Sequence, residues 1–151
     1  MKIETLNETA IEKIKYCLGF VFNQKETDVL LIEKQKPDWQ KGLLNGIGGK
    51  VEKTETSRMA IVREFHEETG LIVDLEEWRY VVTIGDDDWE CDVFTTKSDA
   101  IFEAKTMETE EVLCIELGRL ESYGIIDNLF WLIEMCRDMN INYKIFNNNN
   151  K

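Results

Sequence analysis

Residues 49–71 read GKVEKTETSRMAIVREFHEETGL, and the fold of the chain turns on this stretch. Ser57–Thr69 predicts a helix, with Gly70 at the position favoured just past a helix C-terminus. On that helix Glu64, Glu67 and Glu68 stand at i, i+3 and i+4, so three carboxylates share one face. A charge run alone usually reads as a solvated face. The surroundings point elsewhere. Gly48 and Gly49 precede the helix and let backbone approach a ligand closely. Lys50 follows them and could meet a phosphate. Like charges at these spacings destabilise a bare helix, so the cluster calls for a cation. Oxygen ligands of this kind suit Mg²⁺, with Mn²⁺ as a substitute, rather than zinc.

Upstream, Ile14–Asn23 is apolar and β-rich and reads as a strand, followed by a polar turn and a hairpin partner at Asp28–Glu33. Lys34–Gly42 is a polar loop. Leu43–Val51 holds Gly46, Gly48 and Gly49, too many for an ordinary strand interior. Downstream, Leu71–Asp74, Trp78–Ile84, Glu90–Thr96 and Glu111–Leu117 read as strands, and Ile125–Asp138 as a second helix. Residues 1–12 read as an N-terminal arm, and 146–151 as a tail without fixed structure. The order predicts a single α+β domain over residues 1–151, an α/β/α sandwich around a mixed sheet.

The chain of 151 residues is 43% hydrophobic and 32% charged, a globular composition. Thirty acidic against 18 basic residues give a formal charge of −12. Such a chain is repelled by a polyanion, which argues against duplex nucleic acid and anionic membranes as partners. Small phosphorylated ligands are permitted if a cation is supplied. The apolar run at Tyr16–Phe22 is far short of the ~20 residues of a membrane helix. The polar N-terminus is wrong for a signal peptide. Cys17, Cys91, Cys114 and Cys136 are widely spaced and there is one histidine, so neither zinc nor a disulfide framework is expected. The expectation is a cytoplasmic protein, monomer or homodimer.

The segment resembles the Nudix hydrolase signature, G-x5-E-x7-R-E-U-x-E-E-x-G-U, with U a bulky apolar residue. Here it reads Gly49, Glu55, Arg63, Glu64, Phe65, Glu67, Glu68, Gly70, Leu71, with every fixed letter present. A chance match is on the order of 10⁻⁷. Phe65 is aromatic where an aliphatic is usual. The resemblance implies the Nudix sandwich and hydrolysis of a nucleoside diphosphate linked to another moiety, by water attack on phosphorus with Mg²⁺. It implies Glu64, Glu67 and Glu68 as metal ligands, joined by the carbonyl of Gly48. Arg63 and Glu55 match positions that brace the loop and helix through an ion pair. A further acid is expected before a late strand. Glu110 is chosen, as metal ligand or as the base that takes the water's proton; a solvated loop acid is the alternative.

Leu44–Val51, LNGIGGKV, is similar to the W-N-G-F-G-G-K-V stretch of the oxidised-purine nucleoside triphosphatases in this superfamily. That resemblance implies a substrate such as 8-oxo-dGTP, with Asn45 contacting the base. A turn asparagine beside Gly46 is the alternative. Asp127, Asn128 and Trp131 loosely fit the base-facing start of the last helix, although core packing is favoured for Trp131 and Phe130. Ile126 stands where those enzymes can carry a second aspartate. Lys34 and Trp39 can line the opposite wall, with a lid or a surface anchor as the alternatives for Trp39 in its polar loop. The rival substrates are ADP-ribose, a dinucleotide or capped RNA. The rival class is a silent, ligand-sensing Nudix-like domain, against which the intact acid set argues.

Overall fold

A computed structural model describes residues 12–138 and 146–147. Its centre is β1 (Ile14–Phe22), which is apolar on both sides because helices cover both faces of the sheet. Cys17 and Val21 point to one core, Phe20 and Phe22 to the other. β1 runs parallel to β6 (Trp89–Lys97) along its length, Ile14 opposite Trp89 and Phe22 opposite Lys97. Its other edge is shared. Tyr16–Gly19 pair antiparallel with β4 (Ile47–Lys50), and Phe22 pairs with Val29 of β2 (Asp28–Glu33). β2 also carries β3 (Leu44–Asn45) and, antiparallel, β7 (Glu111–Glu116). β5 (Arg79–Gly85) pairs antiparallel with β6 on its far side. The sheet is therefore mixed, as expected.

Helix α1 (Ser57–Thr69) packs on one face and α2 (Leu129–Arg137) on the other. α1 begins where Thr56 Oγ1 accepts the Met59 N–H at 3.1 Å. It ends at Gly70, in the left-handed region with φ +79°. Ser57 donates to Asp92 of β6 at 2.5 Å, and Arg58 donates to the Trp78 carbonyl, so two side chains fix the helix to the sheet. Ala60, Ile61 and Phe65 fill the core beneath it. Gly19 makes room: a Cβ there would stand 2.9 Å from Ile61 Cδ1 and 3.0 Å from Trp78 Cζ3. Phe65 meets Trp78 edge to face, with ring centroids 5.4 Å apart.

Several boundaries differ from the sequence reading. Leu71–Asp74 forms no strand. Val73 is buried while Ile72 is exposed, and Asp74 and Glu77 close a capping box that turns the chain into a 3-10 turn at Leu75–Glu77. The second helix starts at Leu129 rather than Ile125. Ile125 bridges to Leu44 and the Ile126 N–H donates to the Leu44 carbonyl at 3.1 Å, so the backbone there is spent on β3. The buried stripe of α2 is Leu129, Leu132, Ile133 and Cys136. Phe130, expected in the core, is 47% exposed on the outer side of that stripe. Phe146–Asn147, within the expected structureless tail, form β8 parallel to β5. The remaining tail residues, and the arm up to residue 11, lie outside the described residues.

Phe65 tests how closely this core is fitted. Phe65→Leu supplies the usual aliphatic but forfeits the edge contact with Trp78, and it should cost ~1–2 kcal/mol in urea unfolding; Phe65→Ala should cost ~3–5. No loss for Phe65→Leu would show that the edge contact with Trp78 is not what Phe65 contributes.

Candidate active site

The loop after β4 and the helix α1 are tied together by one side chain. Arg63 donates to both oxygens of Glu55, at 3.2 Å from Nε and 2.5 Å from Nη2. Nη2 also reaches the Lys50 carbonyl at 3.2 Å, and Nη1 reaches Glu64 at 3.1 Å and Glu67 at 3.2 Å. Glu55 in turn accepts the Glu52 N–H at 3.0 Å, which tightens the turn before the helix. The guanidinium holds the Glu55 carboxyl below its ordinary range. This is the bracing ion pair expected of Arg63 and Glu55.

Glu64 lies against Gly49, where an added Cβ would stand 2.4 Å from Glu64 Oε2. Gly48 is tighter still, 2.0 Å from such a Cβ to the Cys17 carbonyl. At Gly48 the Cys17 backbone excludes a side chain, and at Gly49 a Cβ would displace the Glu64 carboxylate from its place against the backbone. Burial lifts Glu64 above the ordinary carboxylate range against the pull of Arg63, and the charges of Glu67 and Glu108 add to the rise. Glu68 is more extreme. Its residue is 8% exposed, and Oε1 is buried with no hydrogen-bond partner among the described residues. Burial, then the charge of Glu64, pushes its carboxyl up to about 8. A buried, orphaned carboxylate oxygen is expensive unless a cation completes it.

Among the described residues no three His, Cys, Asp or Glu side chains converge as a ready-made metal cage. Arg63 Nη1 stands between Glu64 and Glu67 instead. The donor set nevertheless fits a hard divalent cation: three carboxylates on one helix face, one with an orphaned oxygen, beside backbone stripped of side chains. Glu108, exposed on the loop before β7, adds its charge to both Glu64 and Glu68. The sequence reading passed it over, because five residues of acidic loop, METEE, give no spacing that tells Glu108 from Glu110.

Glu110 is otherwise engaged. Its Oε1 meets Lys34 Nζ at 3.1 Å, and Oε2 accepts the Gln35 N–H at 2.6 Å and the Lys36 N–H at 3.4 Å. Burial raises its carboxyl, but the Gln35 N–H and the Lys34 ammonium outweigh that and bring it below its ordinary range.

A cleft of about 540 Å³ opens beside Gly48 and Gly49. Asn45, Lys34 and Trp39 line it as expected, and Asn128 and Ile126 line it from the start of α2. Asn45 Oδ1 accepts the Gly46 N–H at 2.8 Å, so this amide also shapes its own turn. Asp127, beside them, is exposed and is not part of the lining. Lys50 is exposed too, and it is its carbonyl that the structure uses. The sequence reading missed Tyr16 and Trp89, which meet edge to face at 6.4 Å on the cleft wall. Their partnership is set by the β1–β6 register, which no local pattern reveals. Cys17 also lines the cleft; burial pushes its thiol up to about 12, so it stays protonated.

The NUDIX domain family matches residues 16–125, which spans both the bracing loop and the acidic helix. The chain belongs to the Nudix family. It is a Nudix hydrolase of the pyrophosphohydrolase kind, and it carries every fixed residue of the motif. Solved structures share its fold. One is a MutT studied from Aliivibrio salmonicida and Vibrio cholerae, with 23% identity, 83% of this chain and 98% of that one covered, and TM-score 0.69. Another is the NUDIX domain of Shewanella oneidensis NrtR complexed with ADP ribose, with 15% identity, 93% and 99% covered, and TM-score 0.72. A third is an ADP-ribose pyrophosphatase from Streptococcus suis, with 15% identity, 89% and 100% covered, and TM-score 0.67. No curated protein sequence matches significantly. No helix among the described residues is long and apolar enough to cross a membrane.

The strain at Glu68 has a measurable consequence. Its folded carboxyl holds a proton up to about 8, whereas its ordinary value is 4.5. Its contribution to stability is therefore complete below 4.5 and is lost as pH rises through about 8. In chelator, Glu68→Gln should melt higher than the parent chain, by a margin that widens from pH 5 to pH 8.5. A margin that stays constant with pH would show that Glu68 is not charged against its surroundings.

Proposed function

We propose that this Nudix hydrolase is a Mg²⁺-dependent nucleoside triphosphate pyrophosphohydrolase, releasing a nucleoside monophosphate and pyrophosphate, with a purine base such as the oxidised guanine of 8-oxo-dGTP. The observation that carries this reading is the continuity of one cleft. It runs from the amides of Asn45 and Asn128 to Gly48 and Gly49, and the Glu64 carboxylate lies against Gly49. Its volume of about 540 Å³ falls in the range of small-molecule sites. A nucleotide laid along it places its base by the amides and its anhydride by the acids. A carboxamide offers both the donor and the acceptor that a purine edge needs.

Glu64, Glu67, Glu68 and the Gly48 carbonyl would hold the cation. When bound, a divalent cation neutralises anhydride oxygens and makes an attacking water more acidic. The chain supplies the rest. Arg63 aligns Glu64 and Glu67 before any ligand arrives. Gly48 and Gly49 let phosphate approach the backbone. Lys34 brings an ammonium to the cleft, where it can meet a non-bridging oxygen. A water oxygen bonds to phosphorus and loses a proton to solvent, the bridging P–O bond breaks, and pyrophosphate departs with the electron pair. Ile126 lines the cleft and offers no proton, which favours a base read by amides over one that needs an acid pair.

A second reading, hydrolysis of ADP-ribose, is supported by the structural likeness to the Streptococcus suis ADP-ribose pyrophosphatase and to a NUDIX domain that binds ADP ribose. A hydrolysis panel of canonical and oxidised nucleotides, ADP-ribose and dinucleotides in Mg²⁺, scored by product identity, decides between them. Glu67→Gln should keep the fold and lose ~10²-fold or more in turnover; near-parental turnover in saturating Mg²⁺ would sink the metal assignment. Asn45→Ala should raise KM or flatten selectivity among bases, with kcat less affected, at a cost of ~0.5–1.5 kcal/mol per lost hydrogen bond. An equal slowing on every substrate, including a sugar diphosphate with no purine, would leave Asn45 as a shaper of its own turn and raise the ADP-ribose reading.

A further inference from the structure

The loop between β2 and β3 is closed at its foot by backbone pairing: the Lys34 N–H donates to the Leu43 carbonyl at 2.9 Å, and the Gly42 N–H to the Lys34 carbonyl at 2.8 Å. Within it Pro37, Trp39 and Gln40 line the cleft. Trp39 is 69% exposed, a bare indole face on the rim of a site that must hold a flat ring. Its 3-10 turn, Asp38–Gln40, buries no residue, so packing does not fix where the indole stands. What does reach the loop from outside is Glu110. One oxygen takes the Lys34 ammonium and the other takes the N–H groups of Gln35 and Lys36, from the residue just before β7. Both oxygens are committed, and the ion pair is largely shielded, with side chains 23% and 13% exposed.

We infer that Glu110 is a positioning residue that sets nucleotide affinity and base selectivity by holding the Lys34–Gly42 loop, so that Trp39 forms the stacking wall of the base subsite and Lys34 stays at the cleft. It acts through those two side chains and not at the metal. The inference rests on reading the cleft as a nucleotide site. Glu110 and Trp39 belong to opposite ends of one clamp: the carboxylate fixes the loop's first residues, and the loop's fixed length then delivers the indole.

The test combines kinetics on the best nucleotide of the panel with amide hydrogen exchange. Glu110→Ala should raise KM about ten-fold with kcat within about three-fold, leave the Mg²⁺ concentration for half-maximal rate unchanged, and speed exchange at Gln35 and along 35–42 while β1 stays protected. Glu110→Gln should fall between, since its amide oxygen still accepts the Gln35 N–H while its NH₂ opposes Lys34. Trp39→Ala should raise KM similarly, and in the double variant Glu110→Ala should add only the part of its effect that runs through Lys34, so the two factors do not multiply in full. The inference is overturned if alanine and glutamine both abolish kcat with KM unmoved, which would make Glu110 a base or ligand. It is overturned equally if exchange in the loop does not change, or if the two KM effects multiply in full. Failure of the parent chain on every nucleotide would overturn the functional reading, and with it the affinity role, while loop exchange would still report whether Glu110 holds the loop.

Discussion

The guanidinium of Arg63 is the interaction on which the site depends. It donates hydrogen bonds to Glu55, Glu64, Glu67 and the backbone of Lys50, and Glu52 lies 4.0 Å away. Without a planar fork of donors, the carboxylates at 64 and 67 would repel along the helix, and the loop from Lys50 to Glu55 would have no fixed distance from it. A lysine in that place carries the same charge but cannot serve a carboxylate from two nitrogens while turning a third contact toward the helix. Geometry, more than charge, is what the arginine contributes.

Arg63 leaves one carboxylate out. Glu68, a turn beyond Glu64, is buried, with Glu64, Glu108 and Glu110 adding repulsion and the Lys34 charge opposing it. The fold tolerates this because the rest of α1 is well anchored, by the Thr56 cap, the Ser57–Asp92 and Arg58–Trp78 contacts, and the Phe65–Trp78 packing. A stability cost at a functional carboxylate, offset elsewhere on the same helix, is what a site poised for a cation requires.

The acidic helix was legible in the sequence because its determinants are local. Thr56, the i, i+3, i+4 spacing and Gly70 lie within one segment, and helix bounds follow from them. The central strand was legible because burial on both faces gives a continuous apolar run. What escaped depends on partners distant in the chain. Leu71–Val73 carries a strand's composition but finds no strand to pair with, and Asp74 ends it with a capping box. Ile125 has a helix former's neighbours but is claimed by Leu44. Tyr16 and Trp89 become a cleft wall only through the parallel β1–β6 register. Asp127 and Asn128, adjacent in sequence, part company at the cleft, one exposed and one lining it, because α2 begins just after them.

The same distinction separates the chemistry of this protein from its choice of substrate. The acids and their arginine sit on one helix and one loop, held by short-range contacts that a motif can record. The cleft draws on the ends of β1, β3 and β6, the start of α2 and the loop after β2, places whose mutual position is set by the whole sheet. Small changes in any of them alter the walls without disturbing Arg63 or the carboxylates. Chains of one fold can thus keep one hydrolytic centre while their clefts admit different nucleotides. In this chain the walls combine amides at Asn45 and Asn128, an apolar contact at Ile126, and indoles at Trp39 and Trp89. On the nucleotide reading proposed above, that combination suits a flat ring, by stacking and by paired donor and acceptor. The Lys34 ammonium on the lining is paired with Glu110, and at the other end of the cleft Gly49 lies beside the Glu64 carboxylate.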